Sequence, residues 1–270
     1  METDTNTSEP MYRITRDQSS PAVQEAIPTP SEPTPTSIHW SWGDLLLIFF
    51  ASLAIQFAGL ALVSFSNLLP KVPEALWAIS LLLLYSASLI GSVYWLGLRR
   101  RGQSWAAIGI GSISRRWVLG ALGLGLLLTV VTRLVSYSIQ AQLGHPNVYP
   151  QLDLFSPSEL SWGSIIGTIL VGGVMVPFAE ELFYRGVLYR FMRERRGVWI
   201  GAVASAVLFG LTHRGVSMGV AAGIIGLVSA LVYERSKSLW PSIIIYAVNL
   251  SLNFILAFAV LATGMKLPLI

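Results

Sequence analysis

Residues 162–190, WGSIIGTILVGGVMVPFAEELFYRGVLYR, place Glu180, Glu181 and Arg185 inside a run that is otherwise uncharged up to Arg190. The run is longer than the ~20 apolar residues that cross a bilayer, so it reads as a membrane-spanning helix. An ionisable side chain near the bilayer centre costs about 2.5–3.5 kcal/mol on insertion scales. Three of them within two helical turns need a compensating role, and the default reading is a buried functional site.

The rest of the chain has the same character. Of its 270 residues 53% are hydrophobic and only 12% charged, far from the balance of a soluble domain. Candidate spans lie near 45–68, 75–98, 117–139, 162–190, 198–212, 216–233 and 240–262. The expected fold is all-α: a polytopic membrane helix bundle of about seven transmembrane spans. The fifth span is short and reads as partly re-entrant or packed within protein. Residues 1–38, rich in Pro, Ser, Thr and Glu, read as a disordered tail ahead of a transmembrane domain at 39–270. The tail lacks the apolar core and small-residue cleavage site of a secretory signal.

Charge and cysteine usage narrow the function classes. The net charge is +4, but the basic residues sit beside spans, which speaks against a nucleic-acid partner. Arg99, Arg100, Arg101, Arg115 and Arg116 follow span two, Arg190, Arg193, Arg195 and Arg196 follow span four, and Arg235 and Lys237 follow span six. The opposite loops hold Lys71 and Arg214 alone, with Asp153 and Glu159 in the 140–161 loop. The positive-inside rule then puts the N-terminus in the cytoplasm and the C-terminus outside. With no cysteine, thiolate ligands, disulfides and a cysteine nucleophile are excluded. Hydrolytic chemistry would use carboxylate, histidine, hydroxyl or a metal held by oxygen and nitrogen. No internal repeat is evident, which counts against a transporter that uses Glu180 as a proton carrier. Gly201, Gly210, Gly219, Gly223 and Gly226 point to close helix packing.

On a helix Glu181 and Arg185 are four apart and share a face, while Glu180 points about 100° away. Arg185 can neutralise Glu181, leaving Glu180 to face a cavity as a general base or acid. The plainer alternative, a Glu–Arg pair that locks helix packing, leaves Glu180 unexplained. His213 closes Phe209-Gly210-Leu211-Thr212-His213 at the end of span five, whereas His39 and His145 lie outside the spans. A lone histidine is more often structural; beside intramembrane carboxylates it becomes an acid–base candidate. In the last span Asn249 and Asn253 share a face, with Tyr246 and Ser251 nearby. These amides either bond helix to helix or, with Tyr246, donate to a developing oxyanion. Tyr184 and Tyr189 either line the site or anchor the helix, and Arg133 and Gln140 read as snorkelling or interfacial. One histidine and two glutamates are a thin set for zinc, and no His-Glu-x-x-His helix is present.

These residues resemble the CPBP family of intramembrane proteases, which includes the type II CAAX prenyl endopeptidases and Abi-like bacteriocin-processing and immunity proteins. Glu180-Glu181-x-x-x-Arg185 is similar to the family's first motif and Phe209-x-x-x-His213 to its second, followed by a similar Leu239-Trp240-Pro241 entry to the last helix. The resemblance covers a protease-like core at about 160–262. It implies an intramembrane endopeptidase in which Glu180 activates water with His213 while Glu181 and Arg185 hold the site. The implied substrate is a peptide or membrane-protein segment, prenylated in some members, cut within the membrane or near its cytoplasmic leaflet. The metalloprotease label often given to the family implies a divalent metal such as zinc, with Glu180 and His213 as its candidate ligands here. The departure is in the last motif, where the family has a histidine and, four residues on, an asparagine or aspartate. This chain has Tyr246 and Leu250 at those places. Tyr246 and Asn249 would substitute as donors; otherwise the chain is a catalytically inactive scaffold or partner-binding protein on the same fold.

Overall fold

The computed structural model describes residues 38–65, 72–144 and 161–263. The expected disordered tail therefore lies outside the described residues, as do Lys71, His145, Asp153 and Glu159. Ile38, assigned to the tail from sequence, is instead 4% exposed and part of the core.

The described residues are helical, and the order is α1 (Trp42–Phe65), α2 (Glu74–Ser92), α3 (Arg115–Gln142), α4 (Trp162–Leu170), α5 (Val176–Phe183), α6 (Arg190–Leu211), α7 (Val216–Ser236) and α8 (Leu239–Ala262). π-helical turns extend α2 through Val93–Leu98, join α4 to α5 through Val171–Met175, and join α5 to α6 through Tyr184–Tyr189. Six runs are long and apolar enough to cross a membrane: Trp42–Phe65, Glu74–Arg101, Arg115–Gln142, Trp162–Leu211, Val216–Ser236 and Leu239–Ala262. Side chains such as Phe50, Phe57, Leu62 and Leu134 form an apolar outer surface suited to lipid. The protein is a multi-pass membrane helix bundle.

Six runs correspond to seven anticipated spans because of Gly197. Its φ of 82° and ψ of 173° are not helical, and only glycine adopts them without steric cost. The chain doubles back there: a Cβ on Gly201 would stand 2.8 Å from the Arg193 backbone nitrogen. The anticipated spans 162–190 and 198–212 are thus the two arms of the fifty-residue run Trp162–Leu211. The second arm, from 198 to 211, rises only about 21 Å at 1.5 Å per residue, less than the ~30 Å hydrocarbon core. It packs along α7.

The three basic loops gather at one end of the bundle. Arg101 pairs with Asp44 and donates to the His39 carbonyl (2.8 Å), and Arg195 donates to the Trp40 carbonyl (2.9 Å). Arg193 grips both oxygens of Glu234, which also pairs with Lys237. Trp40, 1% exposed, donates its indole N–H to the Gly186 carbonyl at 2.9 Å. A π turn shifts the helical hydrogen-bond ladder, and Trp40 meets a carbonyl within that turn.

Candidate functional site

The paired glutamates sit on α5, an eight-residue helix held between two π turns. Glu181 and Arg185 close as the i, i+4 spacing predicts, with Nη1 2.7 Å from Oε1 and both side chains fully buried. The guanidinium also lies over the Phe209 ring, 4.8 Å from its centroid, and 5.9 Å from that of Tyr184. Its charge is met by a carboxylate and by the negative face of an aromatic ring. Gly226 of α7 makes the room, because a Cβ there would be 3.0 Å from Arg185 Nη2.

Glu180 points elsewhere, as its offset along the helix requires. It is 6% exposed, and the Tyr85 hydroxyl of α2 donates to its Oε1 at 2.7 Å. Tyr246 of α8 faces the same carboxylate. Oε2 is buried without a hydrogen bond of good geometry among the described residues.

Phe209 ties these groups to the histidine. Its ring meets Tyr184 at 4.7 Å, His213 at 4.8 Å and Tyr246 at 5.6 Å, each edge to face. His213 Nδ1 lies 2.9 Å from the Phe209 carbonyl. A carbonyl only accepts, so Nδ1 carries the proton and Nε2 keeps its lone pair.

A cavity of about 100 Å³ opens beside this cluster, lined among others by His213, Tyr246, Asn249, Asn253, Arg133 and Gln140. That is well above the roughly 10–15 Å³ that one water needs, so the cavity has room for water. Glu180 does not line it; Tyr246, which does, stands between the two. No hydrogen bond joins Glu180 to His213 among the described residues. Sequence-predicted residues therefore come together around Phe209 and Tyr246, but the two acid–base candidates are not hydrogen-bonded to each other.

The polar residues of α3 differ from expectation. Arg133, read as snorkelling or interfacial, donates to Asn253 Oδ1 at 2.8 Å, and Gln140 is buried and donates to Ser217 Oγ at 3.0 Å. The cause is packing of α3 on α8 at Arg133 and on α7 at Gln140, close enough that a Cβ on Gly125 would stand 3.0 Å from the Ile245 carbonyl of α8. In hydrocarbon such groups bond to neighbouring helices because water is absent. The asparagines take part too, Asn249 donating to Thr132 Oγ1 (3.1 Å) and Asn253 to the Asn249 carbonyl (2.8 Å). Tyr184 pairs with Thr212 Oγ1 at 3.2 Å near the site, whereas Tyr189 donates to Glu234 at the basic end. Tyr85 was not anticipated. A lone tyrosine in an apolar span carries no signal when its partner lies 95 positions on.

The donor set does not fit a catalytic zinc, which takes three protein ligands. Among the described residues no three His, Asp or Glu side chains gather, and Glu181 is already paired with Arg185.

Comparison with known proteins bears on this segment. Residues 162–252 match the family described as type II CAAX prenyl endopeptidase, Rce1-like. The match runs from α4 into α8 and includes Glu180, Glu181, Arg185, Phe209, His213, Tyr246 and Asn249; Asn253 lies one residue beyond it. A protein of Bacillus subtilis (strain 168) named "Putative membrane peptidase YdiL" is 25% identical over 75 residues. That similarity spans 28% of this chain and 31% of the relative. No solved structure matches the chain. The resemblance carried by Glu180, Arg185 and His213 thus extends over residues 162–252, which are similar to the Rce1-like, type II CAAX prenyl endopeptidase family.

Proposed function

We propose that the protein is an intramembrane endopeptidase that hydrolyses a peptide bond within the membrane or near its cytoplasmic leaflet. The observation that carries this reading is Glu180, a buried carboxylate left over by the Glu181–Arg185 pair and separated by one tyrosine from a polar cavity holding His213. The family of residues 162–252 supports the reaction class.

The chemistry follows from the groups present. A peptide carbonyl enters the cavity and draws the Tyr246 hydroxyl from Glu180 onto its own oxygen. Glu180 Oε2, uncovered, takes a proton from the attacking water, with His213 Nε2 as the second acceptor. Tyr246 then donates to the tetrahedral oxyanion. The proton passes to the leaving amine as the C–N bond breaks. Asn249 lines the same cavity as a further donor, while Glu181 and Arg185 hold α5 against α6 and α7. No step is routed through a metal. The substrate is a peptide or membrane-protein segment, prenylated peptides being the first to test. The bundle's basic end faces the cytoplasm, with the N-terminus there and the C-terminus outside; a reporter fused after Ile270 that is active only in the cytoplasm would overturn that orientation.

The test is cleavage of short labelled peptides, prenylated ones included, by purified protein. Wild type should cleave with or without chelator, and Glu180→Ala and His213→Ala should not. Unchanged cleavage by Glu180→Ala would sink the proposal. A second reading, a catalytically silent scaffold, is favoured by one observation: Tyr246 screens Glu180 from the cavity and stands where the family pattern has histidine. Tyr246→His separates the two, since a silent protein would gain cleavage whereas an active one would change little or lose some.

A further inference from the structure

We propose that Tyr85 is a positioning residue of this site, fixing one oxygen of Glu180 so that the other is presented to Tyr246 and the cavity. The assignment rests on the protease reading above. It adds a residue on α2, well outside the 162–252 segment that carries the family's sequence.

Glu180 has three side-chain torsions, and freezing such a side chain costs about 1.5–2 kcal/mol of rotamer entropy. A general base that swings is badly placed, and a displacement of about 1 Å at a reacting centre can cost about a hundredfold in rate. Tyr85 supplies the restraint through its 2.7 Å hydrogen bond to Oε1. The tyrosine is itself held. Gln56 of α1 donates to Ser88 Oγ at 3.0 Å, and Ser88 Oγ donates to the Tyr85 carbonyl at 2.7 Å. The ring forms part of a groove of about 340 Å³ between α1 and α2, lined also by Leu53, Phe57 and Leu81. One tyrosine therefore closes the side of Glu180 towards α1 and α2, and Tyr246 closes the side towards the polar cavity. A carboxylate pinned on the first side and released on the second can move in one direction only.

Tyr85→Phe isolates the hydroxyl, because the ring that lines the groove is kept. Leu81→Ala, in the same groove but without a bond to Glu180, is the control. In Tyr85→Phe kcat should fall about a hundredfold with KM changed by less than about twofold, since no substrate contact is lost. Thermal stability in detergent should stay close to that of wild type, and Leu81→Ala should keep wild-type kinetics. A readout independent of turnover is labelling of Glu180 by a hydrophobic carbodiimide, followed by mass spectrometry. The freed carboxyl of Tyr85→Phe should label several times faster. A kcat within about threefold of wild type, a loss carried by KM alone, or an unchanged labelling rate would each overturn the assignment. Wild-type protein that cleaves nothing would instead count against the protease reading, and the labelling ratio would still decide whether Tyr85 holds the carboxyl.

Discussion

The Glu181–Arg185 pair allows a quantitative test of which charges hold the fold. Both side chains are fully buried at 2.7 Å, and neither makes a hydrogen bond of good geometry among the described residues, so the ion pair is what compensates each charge. Removing one member of a buried pair costs about 3–5 kcal/mol, because the survivor is left uncompensated. At roughly 2–4 °C per kcal/mol for a chain of this size, that is a fall in Tm of about 6–20 °C. The two single variants should differ. A stranded carboxyl can take up a proton and become neutral, whereas a guanidinium cannot. Arg185 in Glu181→Met keeps the Phe209 ring 4.8 Å away, worth about 2 kcal/mol, and a neutral ring does not replace a counter-charge. Glu181→Met should thus be the less stable single variant and Arg185→Met the milder. The double variant Glu181→Met, Arg185→Met buries two apolar chains of suitable length and should recover most of the loss. Thermal unfolding of wild type and the three variants in one detergent completes the cycle. Effects that add to within about 0.5 kcal/mol, or a double variant that is the least stable of all, would refute the pair as the lock of this helix.

Two further outcomes follow from the packing around the site. Trp40→Phe removes the indole N–H from the buried Gly186 carbonyl, which should cost about 1–3 kcal/mol in stability and lower cleavage by loosening the π turn that carries Arg185; thermal unfolding and peptide cleavage measure the two. Gly210→Val places a Cβ about 2.6 Å from the Gly219 carbonyl, so α6 and α7 must part. Overpacking of this kind costs about 1–3 kcal/mol, and cleavage should fall further than stability because His213 closes the displaced arm.

The fold was legible because apolar runs of bilayer length announce themselves, and because basic loops mark one side. The same local logic found the Glu181–Arg185 pair, since four residues on a helix bring two side chains together whatever else surrounds them. Gly197 shows where that logic thins. The basic segment before it suggested a turn between spans four and five, but only the fold shows that the returning arm is too short to cross by itself and lies on α7. Arg133 was misread because it was read alone, its Asn253 partner being 120 positions away. Tyr85 and Trp40 escaped for the same reason, each bonding to a distant segment. The π turns on either side of α5 had no sequence signal that distinguishes them from ordinary helix.

Adjacent on one short helix, the two glutamates face opposite surroundings, and this is the strongest physical argument that they do different work. Glu181 turns towards Arg185 with Phe209 and Gly226 behind it, on the α6 and α7 side. Glu180 turns towards α2 and α8, where the Tyr85 hydroxyl donates to it and Tyr246 faces it. Both glutamates lose hydration on burial, but Glu181 has the Arg185 counter-charge opposite it, whereas the Tyr85 and Tyr246 hydroxyls beside Glu180 soften its burial without cancelling its charge. A glutamine there would still accept the Tyr85 hydrogen bond and carry no charge into the interior. On the proposed function the charge is there to take a proton from water, which a neutral amide cannot do. The consequence is a split between stability and activity. Glu180→Gln should be at least as stable as wild type in thermal unfolding while cleaving nothing, the reverse of a structural carboxylate. If Glu180→Gln lost as much stability as Glu181→Met, the division of labour on α5 would be wrong, and Glu180 would belong to the scaffold after all.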